Sequence, residues 1–296
     1  MRAVLLGTAA GGGFPQWNCA CRMCAACRRG DVNIPPRTQD CLAVSADGAG
    51  WLLVNASPDI RSQILACPRL AAGPAERETP LRGALLTDAE LDHALGLLML
   101  REGAGLRVWA PAAALEALRD GFPVKGVVSG YGGWRWREPE TEIEGLRVST
   151  FAVGDKRPKY ARDSTAAGPW VVAYRIADPA TGGSLVYAPC LATWPDGFDE
   201  FVAGADVCLA DGTFYSADEM PGTGTGVASG AQKAMGHIPI AGETGSLARM
   251  RRRPEVRWMY THFNNTNPVL DAKSRQHAEV VEAGVALPRD GLELEL

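Results

Sequence analysis

Four residues able to bind a metal crowd into six positions, Asp88, Glu90, Asp92 and His93, in the run Leu85-Leu86-Thr87-Asp88-Ala89-Glu90-Leu91-Asp92-His93. Carboxylates this close repel one another unless a proton or cation intervenes, and Asp92 with His93 offers one ion a hard oxygen and an imidazole nitrogen. The same acids would also suit a solvated turn capping a helix, because negative charge is favoured at a helix N-terminus. A second imidazole, His262, ends the strand-like run Arg257-Trp258-Met259-Tyr260-Thr261. It is followed by Phe263-Asn264-Asn265-Thr266-Asn267-Pro268, whose turn residues and proline cannot extend a strand. The chain has four histidines. His93 and His262 sit where a strand gives way to a turn, His237 lies in the loop Gly236-His237-Ile238-Pro239, and His277, in an amphipathic helix over Ser274 to Glu282, reads as a surface residue.

A separate chemistry is suggested by the cysteines. Of eight, Cys19, Cys21, Cys24 and Cys27 fall within nine residues at C-x-C-x2-C-x2-C spacing, while Cys41, Cys67, Cys190 and Cys208 are scattered. With no export signal, four clustered thiols suit a tetrahedral thiolate zinc better than disulfides, with Cys27 the weakest of the four and a histidine, aspartate or asparagine from a distant segment able to take its place. An iron–sulfur cluster is an alternative, with spacing tighter than common ferredoxin runs, and a loop of free thiols is another. Arg22, Arg28 and Arg29 would help hold thiolates deprotonated.

The elements that must position these groups follow from hydrophobic period and turn chemistry. Strands are expected at Ala3 to Leu6, Cys41 to Ser45, Trp51 to Asn55, Gly83 to Leu86, Arg107 to Ala110, Leu146 to Val153, Trp170 to Ile176, Ser184 to Ala188 and Ala205 to Ala210. Helices are expected after Ser57-Pro58-Asp59, with Ser57 as cap and Pro58 in the first turn, over Pro111 to Arg119, and over Pro239 to Arg249. A helix after His93 would bury Leu95, Leu97, Leu98, Met99 and Leu100. Gly11-Gly12-Gly13 reads as a turn that can approach a ligand closely, without the spacing of a nucleotide-binding loop. The glycine-rich run Pro221 to Gly230 and the segment Gly154 to Gly168 read as loops. Two blocks of strands flanked by helices imply an α/β, four-layer αββα sandwich.

At 296 residues and 46% hydrophobic, the chain can bury a large core, and one domain over 1–296 is expected, with a cysteine-rich zinc loop at about 15–30. The net charge of −4 and a pI near 5.7 give no general attraction to nucleic acid; Arg249, Arg251, Arg252 and Arg253 read as a solvated helix end. No apolar run approaches the roughly 20 residues of a membrane span. Val4-Leu5-Leu6 is too short for a signal-peptide core, so no membrane and a cytoplasmic location are expected. A homodimer is left open.

These segments resemble the metallo-β-lactamase superfamily and, within it, the B proteins of pyrroloquinoline quinone (PQQ) biosynthesis. The resemblance rests on Gly11-Gly12-Gly13-Phe14-Pro15-Gln16-Trp17-Asn18-Cys19, Thr87 to His93, Asp211-Gly212-Thr213-Phe214, Gly236-His237-Ile238-Pro239-Ile240 and Asn264-Asn265-Thr266-Asn267-Pro268, spread over nearly the whole chain. It implies a metallo-β-lactamase-like sandwich with a metal at the strand ends. The superfamily signature is His-x-His-x-Asp-His. Asp88 and Glu90 stand where its first two histidines would be, while Asp92 and His93 are retained. The later histidine is replaced near Gly154-Asp155, the metal-bridging aspartate after Leu185-Val186-Tyr187 by Cys190, and the final histidine is retained as His262.

What remains is Asp92, His93 and His262. Two imidazoles and one carboxylate leave positions open on Fe(II), the arrangement of non-haem oxygenases, whereas hydrolytic members hold two metals roughly 3.5–4 Å apart. The resemblance implies an iron-dependent hydroxylase of a tyrosine ring in a precursor peptide or dipeptide, using molecular oxygen and a reductant. Glu90 or Asp88 would then serve as a supporting base or extra ligand, and His237 would donate a proton or position the phenol. Arg157 and Lys159, with Arg162, are the expected anchors for a substrate carboxylate. Zinc and manganese suit the same ligands. A zinc-dependent hydrolase and a PQQ carrier without turnover are the competing readings.

Overall fold

The computed structural model describes residues 1–219 and 235–296. The run Pro221 to Gly230, expected as a loop, lies outside the described residues. The strands are β1 (Arg2–Gly7), β2 (Cys41–Ser45), β3 (Trp51–Val54), β4 (Leu81–Leu85), β5 (Arg107–Trp109), β6 (Arg135–Arg137), β7 (Glu142–Ile143), β8 (Leu146–Gly154), β9 (Val171–Ala177), β10 (Ser184–Ala188), β11 (Val207–Asp211), β12 (Arg257–Thr261) and β13 (Glu293–Glu295). Among the described residues they form a seven-stranded sheet in the order β13-β1-β2-β3-β4-β5-β6 and a six-stranded sheet in the order β12-β11-β10-β9-β8-β7.

Side-chain alternation explains the layering. All four residues of β3 are buried; Trp51 and Leu53 face one core and Leu52 and Val54 the other. A strand apolar on both faces needs a layer on each side. The inner core joins Leu42, Leu52, Val54 and Leu85 of the first sheet to Val172, Tyr174, Leu185 and Leu209 of the second. Outer helices cover the other faces, which gives the αββα metallo-β-lactamase sandwich.

In the first sheet β3, β4, β5 and β6 are parallel, and in the second β10, β11 and β12 are parallel. Parallel neighbours need crossovers, and the short helices supply them: Ile60–Ala66 between β3 and β4, Phe198–Val202 between β10 and β11, and Ser246–Met250 between β11 and β12. Ligand sites in such sheets form beyond the carboxyl ends of the strands, and β4, β10, β11 and β12 lead into Thr87 to His93, Cys190, Asp211 and His262. The sheets are tied there by Tyr174 Oη donating to Leu86 O (2.8 Å) and Val172 N to Thr87 O (2.9 Å).

Several local expectations need correction. The helix read over Pro239 to Arg249 is confined to Ser246–Met250, because Ile240 N pairs instead with Phe214 O and Gly242 takes a left-handed φ of 94°. The helix after His93 is broken into Leu91–Ala94 and Gly96–Met99. Gly96 N bonds Ala56 O, so the segment is pinned to the β3 end; Leu97 is buried but Met99 is 48% exposed. Asp59, rather than Ser57, occupies the cap position of Ile60–Ala66, and Ser57 Oγ accepts from Asp59 N one turn earlier. The cysteine segment, read as a loop, contains the helix Arg22–Arg28.

Candidate metal centre

His93 is fully buried in the first turn after β4. Its Nδ1–H donates to both oxygens of the Asp88 carboxylate (2.9 and 2.8 Å). Asp88 in turn accepts from Thr87 Oγ1 (2.8 Å) and Glu90 N (2.8 Å). This places the lone pair on His93 Nε2, a buried nitrogen that finds no hydrogen-bond partner among the described residues. His262 is braced in the same way from the other sheet: its Nδ1 lies 2.8 Å from Thr213 Oγ1, and that hydroxyl donates to Asp211 Oδ1 (2.7 Å). Its Nε2 then faces Asp92 Oδ2 at 3.3 Å, and the same oxygen lies 4.0 Å from His93 Nε2.

Two nitrogen lone pairs turned on one carboxylate repel unless a cation or proton stands between them. Burial opposes ionisation of Asp92 and Asp88, but the imidazoles outweigh it and hold both carboxyls below their ordinary range. Burial would likewise push the His93 imidazolium down, yet Asp88 and Asp92 raise it to about 10. The two carboxylates that favour a proton on this imidazole also favour a cation beside it, and a metal bound there would displace that proton. The donor set, the unsatisfied nitrogen and the outer hydrogen bonds that fix both rings fit a metal held by Asp92, His93 and His262.

Backbone close to the centre is strained and tightly packed. His262 takes a left-handed φ of 61°, which for a residue other than glycine costs of order 1–3 kcal/mol. It is held by Phe263 N donating to Thr8 O (2.8 Å) and Phe263 O accepting from Ala10 N (2.8 Å). The same loop brings Gly11 against Asp92: a Cβ there would lie 3.1 Å from Oδ2. Beneath, Asp40 accepts from Tyr187 Oη of β10 and from Thr261 Oγ1 beside His262; burial pushes its carboxyl up, with His262 opposing.

His237 completes the arrangement. Its Nδ1 lies 2.8 Å from Asp211 Oδ2 and its ring stacks on His262, with centroids 5.2 Å apart. Glu90 points elsewhere, to Lys156 Nζ at 2.9 Å. A cavity beside the centre is lined by Asp88, Glu90, Gly154, Lys156, Cys190 and Gly236. Arg157 and Lys159 do not line it: Arg157 donates to Arg162 O and Ser164 O and lies over the Trp170 ring, and Lys159 sits on an exposed turn.

The cysteine segment folds against the same region. Cys19, Cys21 and Cys24 place their sulfurs within 4.8 Å of one another. Asn265, three residues after His262, directs Nδ2 at Cys19 Sγ (3.2 Å) and Cys24 Sγ (3.4 Å). Cys27 is not in this group: the helix carries it one turn beyond Cys24 into the core, where burial raises its thiol pKa.

A β-lactamase superfamily domain model matches residues 50–263. The coenzyme PQQ synthesis protein B of Azotobacter vinelandii is 38% identical over 305 residues, covering 100% of both chains, and that of Pseudomonas entomophila is 40% identical over 99% of both. The chain belongs to the coenzyme PQQ synthesis protein B family. Zn(2+)-bound PqqB from Methylobacterium extorquens superposes on it with a TM-score of 0.90 at 38% identity and complete coverage of both chains. Sequence reasoning assigned no role to Asp211, Thr213 or Lys156, and for the fourth cysteine-site ligand it allowed a histidine, aspartate or asparagine from a distant segment without pointing to Asn265. Asp211-Gly212-Thr213 carried a signal, an acid and a hydroxyl at a strand end; Asn265 carried none beyond its place in a turn-forming run.

Proposed function

We propose that the chain is an Fe(II)- and oxygen-dependent hydroxylase of a tyrosine ring in a precursor peptide or dipeptide, acting in the PQQ synthesis for which its relatives are named. The observation that supports it best is the pair of imidazoles, both braced through Nδ1, that turn Nε2 toward Asp92. Fe(II) held by Asp92, His93 and His262 would supply one-electron chemistry with dioxygen while keeping coordination positions open. The reaction balances as Ar–H plus O2, two electrons and two protons giving Ar–OH plus water, the electrons coming from an external reductant. Asp88 keeps His93 in the required tautomer, and Thr213 with Asp211 does the same for His262. His237, fixed by Asp211, is the group to exchange a proton with the phenol. Lys156, rather than Arg157 or Lys159, is a cation beside the centre that would meet a substrate carboxylate by exchanging its ion pair with Glu90. Cys19, Cys21 and Cys24 would hold a structural zinc, with Asn265 in place of Cys27 only if its amide turns to present Oδ1 rather than the Nδ2 that now donates to the thiols.

A zinc-dependent hydrolase is the second reading. It is favoured by Asp211, His237 and His262, whose ligand atoms lie within 4.8 Å of one another and could hold another ion. It is disfavoured because Asp88 and Glu90, where hydrolytic relatives carry first-site histidines, are committed to His93 and Lys156. Oxygen uptake by Fe(II)-loaded protein, measured with and without a tyrosine-containing dipeptide, tests the choice. Uptake that depends on the dipeptide and disappears in Asp92→Ala supports the hydroxylase; no uptake removes it and leaves the hydrolase and the carrier.

A further inference from the structure

Asp40 is a carboxylate whose place near the centre the three-ligand set does not explain. It immediately precedes β2 of the first sheet and is 2% exposed. Its side chain accepts from Tyr187 Oη of β10 and from Thr261 Oγ1 of β12, both in the second sheet. Asp40 N donates to Ala9 O (2.7 Å), between the two residues that hold Phe263. The carboxylate therefore sits where the sheets join, one residue from His262 by way of Thr261.

Satisfying two buried hydroxyls does not require a charge. A neutral acceptor would serve, and a buried carboxylate is unfavourable unless positive charge answers it. No lysine or arginine among the described residues pairs with Asp40; the positive charge it faces is that of His262 and His93, and it adds to the carboxylates that favour charge on His93. Nor does it orient either ring, because Asp88 does so for His93 and Thr213 for His262. The buried Nε2 of His93, without a hydrogen-bond partner, is an independent sign that a cation belongs between the rings. A divalent ion there would supply the charge that Asp40 otherwise lacks.

We propose that Asp40 is a buried counter-charge to the centre and lowers its Fe(III)/Fe(II) potential by stabilising the more positive ion. The inference rests on the reading that Asp92, His93 and His262 hold iron. Asp40 touches neither the ion nor the substrate. It joins Asp88, Asp92 and Asp211, whose charges also act on the two imidazoles, and such a field favours a triply charged ion over a doubly charged one. The step it biases is loss of one electron by Fe(II), with dioxygen as the acceptor and the external reductant restoring Fe(II). No proton moves at Asp40 and no bond to it forms or breaks.

A mediated redox titration of the iron-loaded full chain tests this, with one equivalent of Zn(II) first filling the Cys19, Cys21 and Cys24 group and Fe(III) followed by electron paramagnetic resonance. Wild type is compared with Asp40→Asn, which keeps the shape and removes the charge, and with Thr261→Val, which removes a hydrogen bond and keeps the charge. Circular dichroism checks each fold, and Asp40→Ser gives the same comparison if the asparagine variant does not fold. Asp40→Asn should raise affinity for Fe(II) relative to Fe(III) about tenfold, an upward shift of about 59 mV for one electron, while Thr261→Val stays at or below wild type. Equal potentials in wild type and Asp40→Asn, with an iron signal still lost in Asp92→Ala, would overturn the counter-charge and leave the three-ligand centre intact. A rise in Thr261→Val as large as that in Asp40→Asn would also overturn it, by assigning the effect to the hydrogen bond. An iron signal indifferent to Asp92→Ala would overturn the centre itself, and the counter-charge with it.

Discussion

Asp88 shows how one substitution changes what a site can do. At a position where the superfamily signature has a metal-binding histidine, its carboxylate is instead spent on His93 Nδ1, Thr87 Oγ1 and Glu90 N. It would serve a metal at the proposed centre through His93. Asp88→Asn keeps the shape and removes the charge, so metal affinity at the centre should fall about 10–100-fold; competition with a chromophoric chelator measures it, and unchanged affinity would show that Asp88 does not support the ligand. A second residue-scale prediction concerns Glu219. Burial raises its carboxyl from 4.5 to about 7, although Tyr215 N and Thr266 Oγ1 donate to it. The folded state therefore binds the proton more tightly than the unfolded one, and this contribution to stability is complete below about 4.5 and lost as pH rises through about 7. Glu219→Gln should flatten the fall in denaturation midpoint between pH 5 and 8; an identical slope in both proteins contradicts the assignment. The crowding of Asp88 to His93 was legible in the sequence, and the structure places Asp92 and His93 of this run beside His262. Which carboxylates face that centre was not legible, because that depends on whether each turns toward it or back onto an imidazole, a choice made by the fold.

At the scale of elements, the cysteine segment links the two loops that build the centre. Its first residues continue the chain from Gly11, which abuts Asp92, and its thiols meet Asn265, three residues beyond His262. Arg28 pins the intervening turn by donating to Gln16 O and Cys19 O. A zinc held there would tie both loops, so Cys21→Ser should lower zinc content by roughly one per chain and reduce thermal stability. Metal analysis with a thermal melt checks this, and unchanged zinc would remove the structural site. The sequence showed the clustered thiols and marked Cys27 as the weakest of the four, but the segment was read as a loop, so the reason that Cys27 stands apart from the other sulfurs was not visible. Once Arg22–Arg28 is helical, Cys27 is carried a turn away. The same kind of error placed a helix from Pro239, where backbone pairing of Ile240 with Phe214 wins over local helical pattern.

For the whole molecule, the sandwich is legible because strands such as β3 are apolar on both faces, a pattern that requires layers above and below. Separation in sequence hides the rest: His93 lies early in the crossover after β4 in one sheet and His262 just past β12 in the other, and only stacking of the sheets brings their rings to 5.2 Å. That stacking rests on the inner core, where Leu209 is fully buried. Leu209→Ala should cost about 2–5 kcal/mol in chemical denaturation, and a loss well below that would mean the sheets are held mainly by other contacts. No described helix is long and apolar enough to cross a membrane. The most direct test of the central claim is mass spectrometry of a tyrosine-containing precursor peptide or dipeptide after anaerobic reconstitution with Fe(II), addition of reductant, and exposure to isotopically labelled dioxygen. The account predicts a gain of one labelled oxygen atom on the ring, absent in His262→Ala. No oxygen gain on any such substrate, together with zinc-dependent cleavage of an ester or phosphodiester, would contradict it.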